Sequence, residues 1–300
     1  MNEPAHFSDR LLAALERAGA PACVGIDPVY ERMPEAMLEA TSGKVEPIER
    51  FSLGVIDAVT DVVGVVKLQS ACFERYGHDG MAALERTAQH ARDAKLLVIL
   101  DAKRGDIGLT SEHYAAWAFD TVGADAVTLN PYLGVDAITP FLDAQWSAGR
   151  GRGVFALVRT SNPSSDAIQS ATLAGGETVA SLVADLVRET GAGRTGERGF
   201  SDVCAVVAAT KPADAALLRA KMPAQIFLAP GFGAQGGSTE TIQGLFLPTG
   251  LGALVTASRS VIYAFDASEP RWMDHVHDAA VAFATQAQQA AQRARELPGA

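Results

Sequence analysis

Eight short apolar runs recur along this chain with helical or polar segments between them, and that rhythm constrains the fold more than any other feature. The runs are CVGID (23–27), DVVGVVKLQ (61–69), KLLVILDAK (95–103), AVTLN (126–130), GVFALVRT (153–160), DVCAVVAAT (202–210), QIFLAP (225–230) and GALVTASR (252–259). They are rich in β-branched residues and mostly continuous rather than alternating, as expected of parallel strands covered on both faces. Helical patterns such as MAALERTAQHARDA (81–94) and TVASLVADLVRET (178–190) fill most of the gaps. Strand–helix alternation repeated eight times predicts an α/β fold, a single closed (β/α)8 barrel over residues 1–300. A 300-residue chain that is 48% hydrophobic can fill the core of one such domain.

The rhythm has irregular places. Residues 31–50, with Pro34, Gly43 and Pro47, read as an insertion after the first run. Residues 160–177 are rich in Ser, Asn, Gly and Thr and read as a long loop, and residues 231–250 carry six glycines with little helical period. DAAVAFATQAQQAAQRARE (278–296) reads as a closing helix, because its Ala and Gln favour helix.

Polar residues collect where the runs end. Asp27 closes the first, Lys67 and Gln69 the second, Asp101 and Lys103 the third, Asn130 the fourth, Arg159 and Thr160 the fifth, and Arg259 the eighth. In parallel barrels the carboxyl ends of the strands hold the active site, so this clustering predicts one there. Asp101 and Lys103 are two apart and leave a strand on the same face, with Lys67 in reach from the neighbouring strand. A nearby carboxylate favours the ammonium form of a lysine. Lys103 is therefore suited to give up a proton, rather than to form a Schiff base, which requires a neutral amine. Asp106 lies past the strand and need not fold back to its own Lys103. Lys211, after the sixth run, reads as a solvated charge.

APGFGAQGGS (229–238) precedes TASRS (256–260). Glycines let backbone approach a ligand, the loops after the last two barrel strands commonly bind phosphate, and Arg259 offers a two-pronged fork for its oxygens. Net charge is −10, from 25 basic and 35 acidic residues, which argues against a nucleic-acid or anionic-membrane surface and requires a local basic pocket for an anionic substrate. His6, His78, His90, His113, His275 and His277 show no metal-ligand spacing, and no catalytic metal is expected. Cys23, Cys72 and Cys204 stand far apart without a CxxC and read as buried thiols of a reducing cytoplasm. The N-terminal stretch MNEPAHFSDRLLAALERAGA has no apolar run of secretory length, and no stretch approaches a membrane span.

LDAKRGDIGLTSEHYA (100–115) resembles the signature of the orotidine 5′-monophosphate decarboxylase family, in its longer bacterial (type 2) form. VGIDP (24–28), KLQSACFERYG (67–77), TLNPYLG (128–134), APGFGAQGG (229–237) and SRSVIYA (258–264) are similar to further family segments, in family order. The resemblance implies a TIM-type barrel, a homodimer, and cofactor-free conversion of orotidine 5′-monophosphate to uridine 5′-monophosphate (UMP) and carbon dioxide, the last step of de novo pyrimidine synthesis. It implies that Lys103 protonates carbon 6 of the pyrimidine, within an alternating charge chain of Lys67, Asp101, Lys103 and Asp106. Asp106 and Thr110 would enter the partner subunit's site. Asp27 and Thr110 would hold ribose hydroxyls, Ser161 the pyrimidine, and Gln235 and Arg259 the phosphate, with Pro230 and Gly231 shaping the loop.

Two other readings fit parts of the pattern. A metal-dependent sugar-phosphate lyase or decarboxylase of the same barrel superfamily would share a DxKxxD motif, but Lys67 opposite Asp101 leaves little room for a metal. A nucleotide sensor on the same barrel would not need Lys103.

Overall fold

A computed structural model describes residues 5–143, 151–232 and 239–296. Eight parallel strands close into a barrel in sequence order: β1 (Ala22–Ile26), β2 (Val65–Gln69), β3 (Leu97–Arg104), β4 (Ala126–Leu129), β5 (Gly153–Arg159), β6 (Ser201–Val207), β7 (Gln225–Ala229) and β8 (Ala253–Ala257). Each lies within or against one of the eight apolar runs. The helices are α1 (Phe7–Ala18), α2 (Glu35–Ala40), α3 (Val45–Val59), α4 (Ala71–Glu74), α5 (Gly77–Asp93), α6 (Gly108–Ala116), α7 (Asp166–Gln169), α8 (Val179–Thr190), α9 (Pro212–Lys221), α10 (Thr239–Ile242), α11 (Arg259–Ile262) and α12 (Trp272–Glu296). Among the described residues, no helix is long and apolar enough to cross a membrane.

Apolar side chains from alternate strand positions fill the barrel, including Cys23, Val65, Ile99, Phe155, Cys204, Ile226 and Leu254. The opposite strand faces pack under the helices in a second, larger cluster. Helix α1 plugs the end of the barrel where the strands begin. Its Phe7 meets Phe155 edge-on at 5.9 Å, and a Cβ on Gly153 would come within 2.1 Å of the Phe7 ring, so glycine is required there. Polar ties hold the plug: Arg10 Nη1 donates to Asp125 Oδ1 at 2.8 Å, and Ser8 N donates to Asp202 Oδ1 at 2.9 Å. Truncating a buried phenylalanine of this kind costs about 3–5 kcal/mol. With that end sealed, the carboxyl ends of the strands form the open face.

The irregular segments are more ordered than their composition implies. Residues 45–50, expected within an insertion, open α3, while Tyr30–Arg32 form a 3-10 turn and 35–40 form α2. The closing helix begins at Trp272, six residues before the expected 278, because Trp272 is buried and stacks on Phe51 of α3 at 5.1 Å. Residues 160–177 are a folded excursion rather than an open loop, with a 3-10 turn at Pro163–Ser165, helix α7 and an antiparallel bridge from Thr172 to Thr178. After β4, three 3-10 turns (Pro131–Leu133, Val135–Ala137, Thr139–Phe141) occupy the first part of the crossover. Cys23 and Cys204 are buried as expected, whereas Cys72 on α4 is half-buried, and all three thiols are free.

Candidate active site

A cavity of about 830 Å³ opens at the carboxyl ends of the strands. Asp27, Lys67, Asp101, Lys103, Ser161, Pro230, Gly231 and Arg259 all line it. Of the residues that the resemblance assigns to the site, Asp106 and Thr110 do not line it, and Gln235 lies outside the described residues.

The floor is an alternating row of charges. Lys67 Nζ stands 3.7 Å from Asp27 Oδ1 and 2.8 Å from Asp101 Oδ2, and Lys103 Nζ is 2.6 Å from Asp101 Oδ1. Burial alone would raise the Asp101 pKa. The charges of Lys67 and Lys103, with their hydrogen bonds, outweigh it and hold the carboxyl well below its ordinary range. Burial alone would lower the Lys67 pKa, but Asp101 and Asp27 outweigh it and raise it. Asp101 and Lys67 are buried, whereas the Lys103 side chain is 47% exposed, so Lys103 is the most open member of the row.

A bulge in β3 creates this geometry. Leu100 pairs with Val127 but Arg104 pairs with Leu129, so four residues of β3 span two of β4. Within the bulge Lys103 takes φ +46°, a left-handed conformation that costs a non-glycine residue about 1–3 kcal/mol. Its amide leaves the strand ladder and donates to Thr128 Oγ1 at 2.9 Å; that hydroxyl donates to Asp101 Oδ1 at 2.9 Å. Gln69 Nε2 adds a fourth contact to Asp101, at 3.2 Å from Oδ2. Arg104 anchors the end of the bulge, pairing with Glu74 at 2.6 Å and lying over the rings of Tyr114 and Trp117.

The other walls are held from the surrounding loops. The Tyr263 hydroxyl accepts from Val29 N at 2.7 Å and donates to Asp27 O at 3.0 Å, fixing the turn after β1. Asp27 Oδ1 is buried without a hydrogen-bond partner and faces Lys67 Nζ at 3.7 Å, while the Asp27 side chain as a whole keeps 29% of its surface open and lines the cavity. Gly231, at φ +98°, turns the backbone along the cavity after β7. Arg259 opens α11 at the exposed rim and makes no ion pair among the described residues.

Asp106 and Thr110 are not among the residues that line this cavity. Asp106 Oδ1 accepts from the Ile107 amide at 2.9 Å, and its carbonyl accepts from Ser111. Around them lie exposed apolar side chains: Ile107 and Leu109, with Tyr132, Leu133 and Val135 on the 3-10 turns after β4.

The expectation of a solvated Lys211 is corrected. Its Nζ reaches both carboxylate oxygens of Asp166, at 2.9 and 2.8 Å, and Asp166 also binds Arg159. Hydrogen bonds from Arg159 and Lys211 hold the Asp166 carboxyl down at about 2. Sequence reasoning missed this partnership because 45 residues separate Lys211 from Asp166. It also missed Thr128, although the two-residue period of a strand places Thr128 and Asn130 of TLN on one side.

Residues 22–269 match the family model described as orotidine 5′-phosphate decarboxylase / HUMPS family. A protein of Rhodopirellula baltica named orotidine 5′-phosphate decarboxylase is 38% identical over 294 residues, covering 92% of this chain and 96% of its own. One of the same name from Roseiflexus castenholzii is 42% identical over 260 residues, covering 86% and 89%. The solved structure of Leishmania donovani OMP decarboxylase superposes with a TM-score of 0.77 at 26% identity, covering 96% of this chain and 99% of that one.

Proposed function

Because this chain belongs to the orotidine 5′-phosphate decarboxylase / HUMPS family, we propose that its cavity converts orotidine 5′-monophosphate to UMP and carbon dioxide, the closing step of pyrimidine nucleotide synthesis. The observation that carries this reading is the ionised Asp101 carboxylate clamped between two ammonium groups, of which the one on Lys103 is far more open to the cavity.

In this reading the substrate carboxylate lies against Asp101. The bond from C6 to the carboxyl carbon breaks, its electron pair stays on C6, carbon dioxide departs, and a proton of the Lys103 ammonium moves to C6. Two unit charges 4 Å apart repel by roughly 4 kcal/mol at an effective dielectric near 20. Enzymes typically lower barriers by about 8–23 kcal/mol, and a decarboxylation without an electron sink demands the upper part of that range. Repulsion from Asp101 is therefore a minor share. The larger share falls to the positive charge of Lys103, held beside C6 before the carbanion forms. Lys67 keeps Asp101 ionised and fixed. Asp27, part-exposed in the cavity wall after β1, accepts from a ribose hydroxyl. Ser161 meets the pyrimidine, and Arg259 and Gln235 take the phosphate, with Pro230 and Gly231 shaping the loop between.

The active form is a homodimer in which Asp106 and Thr110 complete the partner's site. Supporting this are their absence from the lining of their own cavity and the apolar surface around them, where Tyr132 is 82% and Leu109 68% exposed. The three free thiols suit a reducing cytoplasm.

The test follows the ultraviolet absorbance of orotidine 5′-monophosphate with chelator-treated protein, alongside Lys103→Ala. Rapid conversion by the wild type and none by the variant is expected. Failure of the folded wild type to convert it, with turnover of a sugar phosphate on adding Mg²⁺, would overturn the assignment in favour of a metal-dependent lyase.

A further inference from the structure

The cavity wall formed by residues 160–169 has no charged group facing in, yet a buried cation holds it. Arg159, the last residue of β5, has a side chain only 3% exposed, and all five donors of a guanidinium are engaged. Nε donates to Asp214 Oδ2 at 2.6 Å, on α9. Nη1 donates to Ser165 Oγ at 3.0 Å and Gln169 Oε1 at 3.1 Å, and Nη2 to Asp166 and to Ser170 Oγ at 3.1 Å. One side chain thus fastens α7 and its flanks to the barrel rim, and Lys211 closes the lattice from outside through Asp166.

The lattice reaches the cavity through Gln169. Its Oε1 also accepts from the Thr160 amide at 2.9 Å, and its Nε2 donates to Thr160 Oγ1 at 2.8 Å. Thr160 Oγ1 donates in turn to Asn162 Oδ1 at 2.7 Å. Both side-chain atoms of Gln169 are spent on Thr160 and Arg159, so the arc from Thr160 to Asn162, with Ser161 at its centre, is held rigid. Thr160, Ser161, Asn162 and Gln169 all line the cavity.

The barrel order says which part of a nucleotide this wall meets. The cation at the rim, Arg259, follows β8; the turn at Pro230–Gly231 follows β7; and Asp27 follows β1. That flank suits phosphate and ribose. The charge row occupies β2 and β3. The flank after β5 is left for the base, and its neutral hydroxyl and amide groups match an uncharged ring edge carrying N–H and C=O groups.

We infer that Arg159 and Gln169 are positioning residues for base recognition, fixing the Thr160–Asn162 arc so that affinity gained through the pyrimidine depends on them while affinity gained through ribose phosphate does not. The inference rests on the nucleotide reading proposed above.

The test compares dissociation constants of UMP and ribose 5-phosphate by calorimetry for wild type, Arg159→Lys, Arg159→Met and Gln169→Leu. Arg159→Lys keeps the charge but cannot span five acceptors, so it is expected to resemble Arg159→Met. UMP binding should weaken by about tenfold or more in each variant, with ribose 5-phosphate changed less than about twofold. In turnover, KM for the nucleotide should rise in the same proportion. Gln169 is only half-buried, so Gln169→Leu decides the matter should the Arg159 variants fail to fold. Equal losses for both ligands, or unchanged UMP binding in folded Gln169→Leu, would overturn the inference while leaving the decarboxylase assignment intact. A wild type that neither turns over orotidine 5′-monophosphate nor binds UMP more tightly than ribose 5-phosphate would overturn both.

Discussion

The backbone amide of Lys103 donates to the side chain of Thr128 across the β3–β4 pair, at 2.9 Å, and this bond replaces the ladder bond that the β3 bulge removes. The Thr128 hydroxyl, buried within the barrel, donates its own hydrogen bond to Asp101. Thr128→Val keeps the shape and removes both bonds, leaving a strained backbone amide unsatisfied. Losses of this kind run to about 1–3 kcal/mol, or roughly tenfold to a hundredfold in rate. We expect kcat to fall by that factor with KM nearly unchanged, and Thr128→Ser to recover most of it. A variant with a raised KM and normal kcat would assign Thr128 to substrate binding instead.

Asp106 does not line its own cavity, so its proposed role in the site of a partner subunit can be tested by subunit exchange. Lys103→Ala and Asp106→Ala homodimers should each lose activity, the former by more than about 10⁴-fold, since the lysine supplies both charge and proton. Mixed and allowed to exchange, they should regain activity, because one site of each heterodimer is intact. If exchange is confirmed by mass spectrometry and no activity returns, Asp106 acts within its own chain.

Arg259, the proposed phosphate ligand, follows β8 while the Lys67–Asp101–Lys103 row lies on β2 and β3, so in this reading the phosphate acts on the chemistry through remote binding energy. Arg259→Ala should raise KM and also lower kcat, and orotidine lacking the phosphate should lose turnover as well as affinity. Steady-state kinetics on both substrates checks this. An unchanged kcat in Arg259→Ala would confine the phosphate grip to ground-state binding.

Asp101 is held below its ordinary pKa and Lys67 above its own, which sets the direction of their pH dependence. The ionised Asp101 contributes stability above the unfolded carboxylate value of about 3.9, and that contribution fades as pH falls through the depressed native value. The Lys67 contribution is present below about 10.4 and fades as pH rises through the raised native value. The difference in thermal midpoint between wild type and Asp101→Asn, followed by circular dichroism, should be flat from about pH 5 to 9. It should shift against the wild type as pH falls from about 4 toward 2. A difference independent of pH down to 2 would mean that Asp101 is not ionised in the native row.

Eight continuous apolar runs were enough to foretell the barrel, because parallel strands buried on both faces cannot alternate, and each parallel pair needs a long crossover of the kind the helical patterns between the runs supply. The same rule placed the candidate site, since charges ending apolar strands gather at the open face, where Lys67, Asp101 and Lys103 line one cavity. Lys67, Asp101 and Lys103 were legible because strand period and strand neighbourhood are local properties of sequence. The tertiary structure alone decided how those groups are held. The Thr128 hydroxyl reaches Lys103 only because β3 bulges against β4, and Lys211 finds Asp166 only because the segment after β5 folds back over the rim. Hydrogen bonds between residues 25, 45 or 55 positions apart, such as Thr128 with Lys103, Lys211 with Asp166 and Arg159 with Asp214, leave no periodic trace in sequence. They form when packing brings their elements together, and burial then compels each polar group to find a partner.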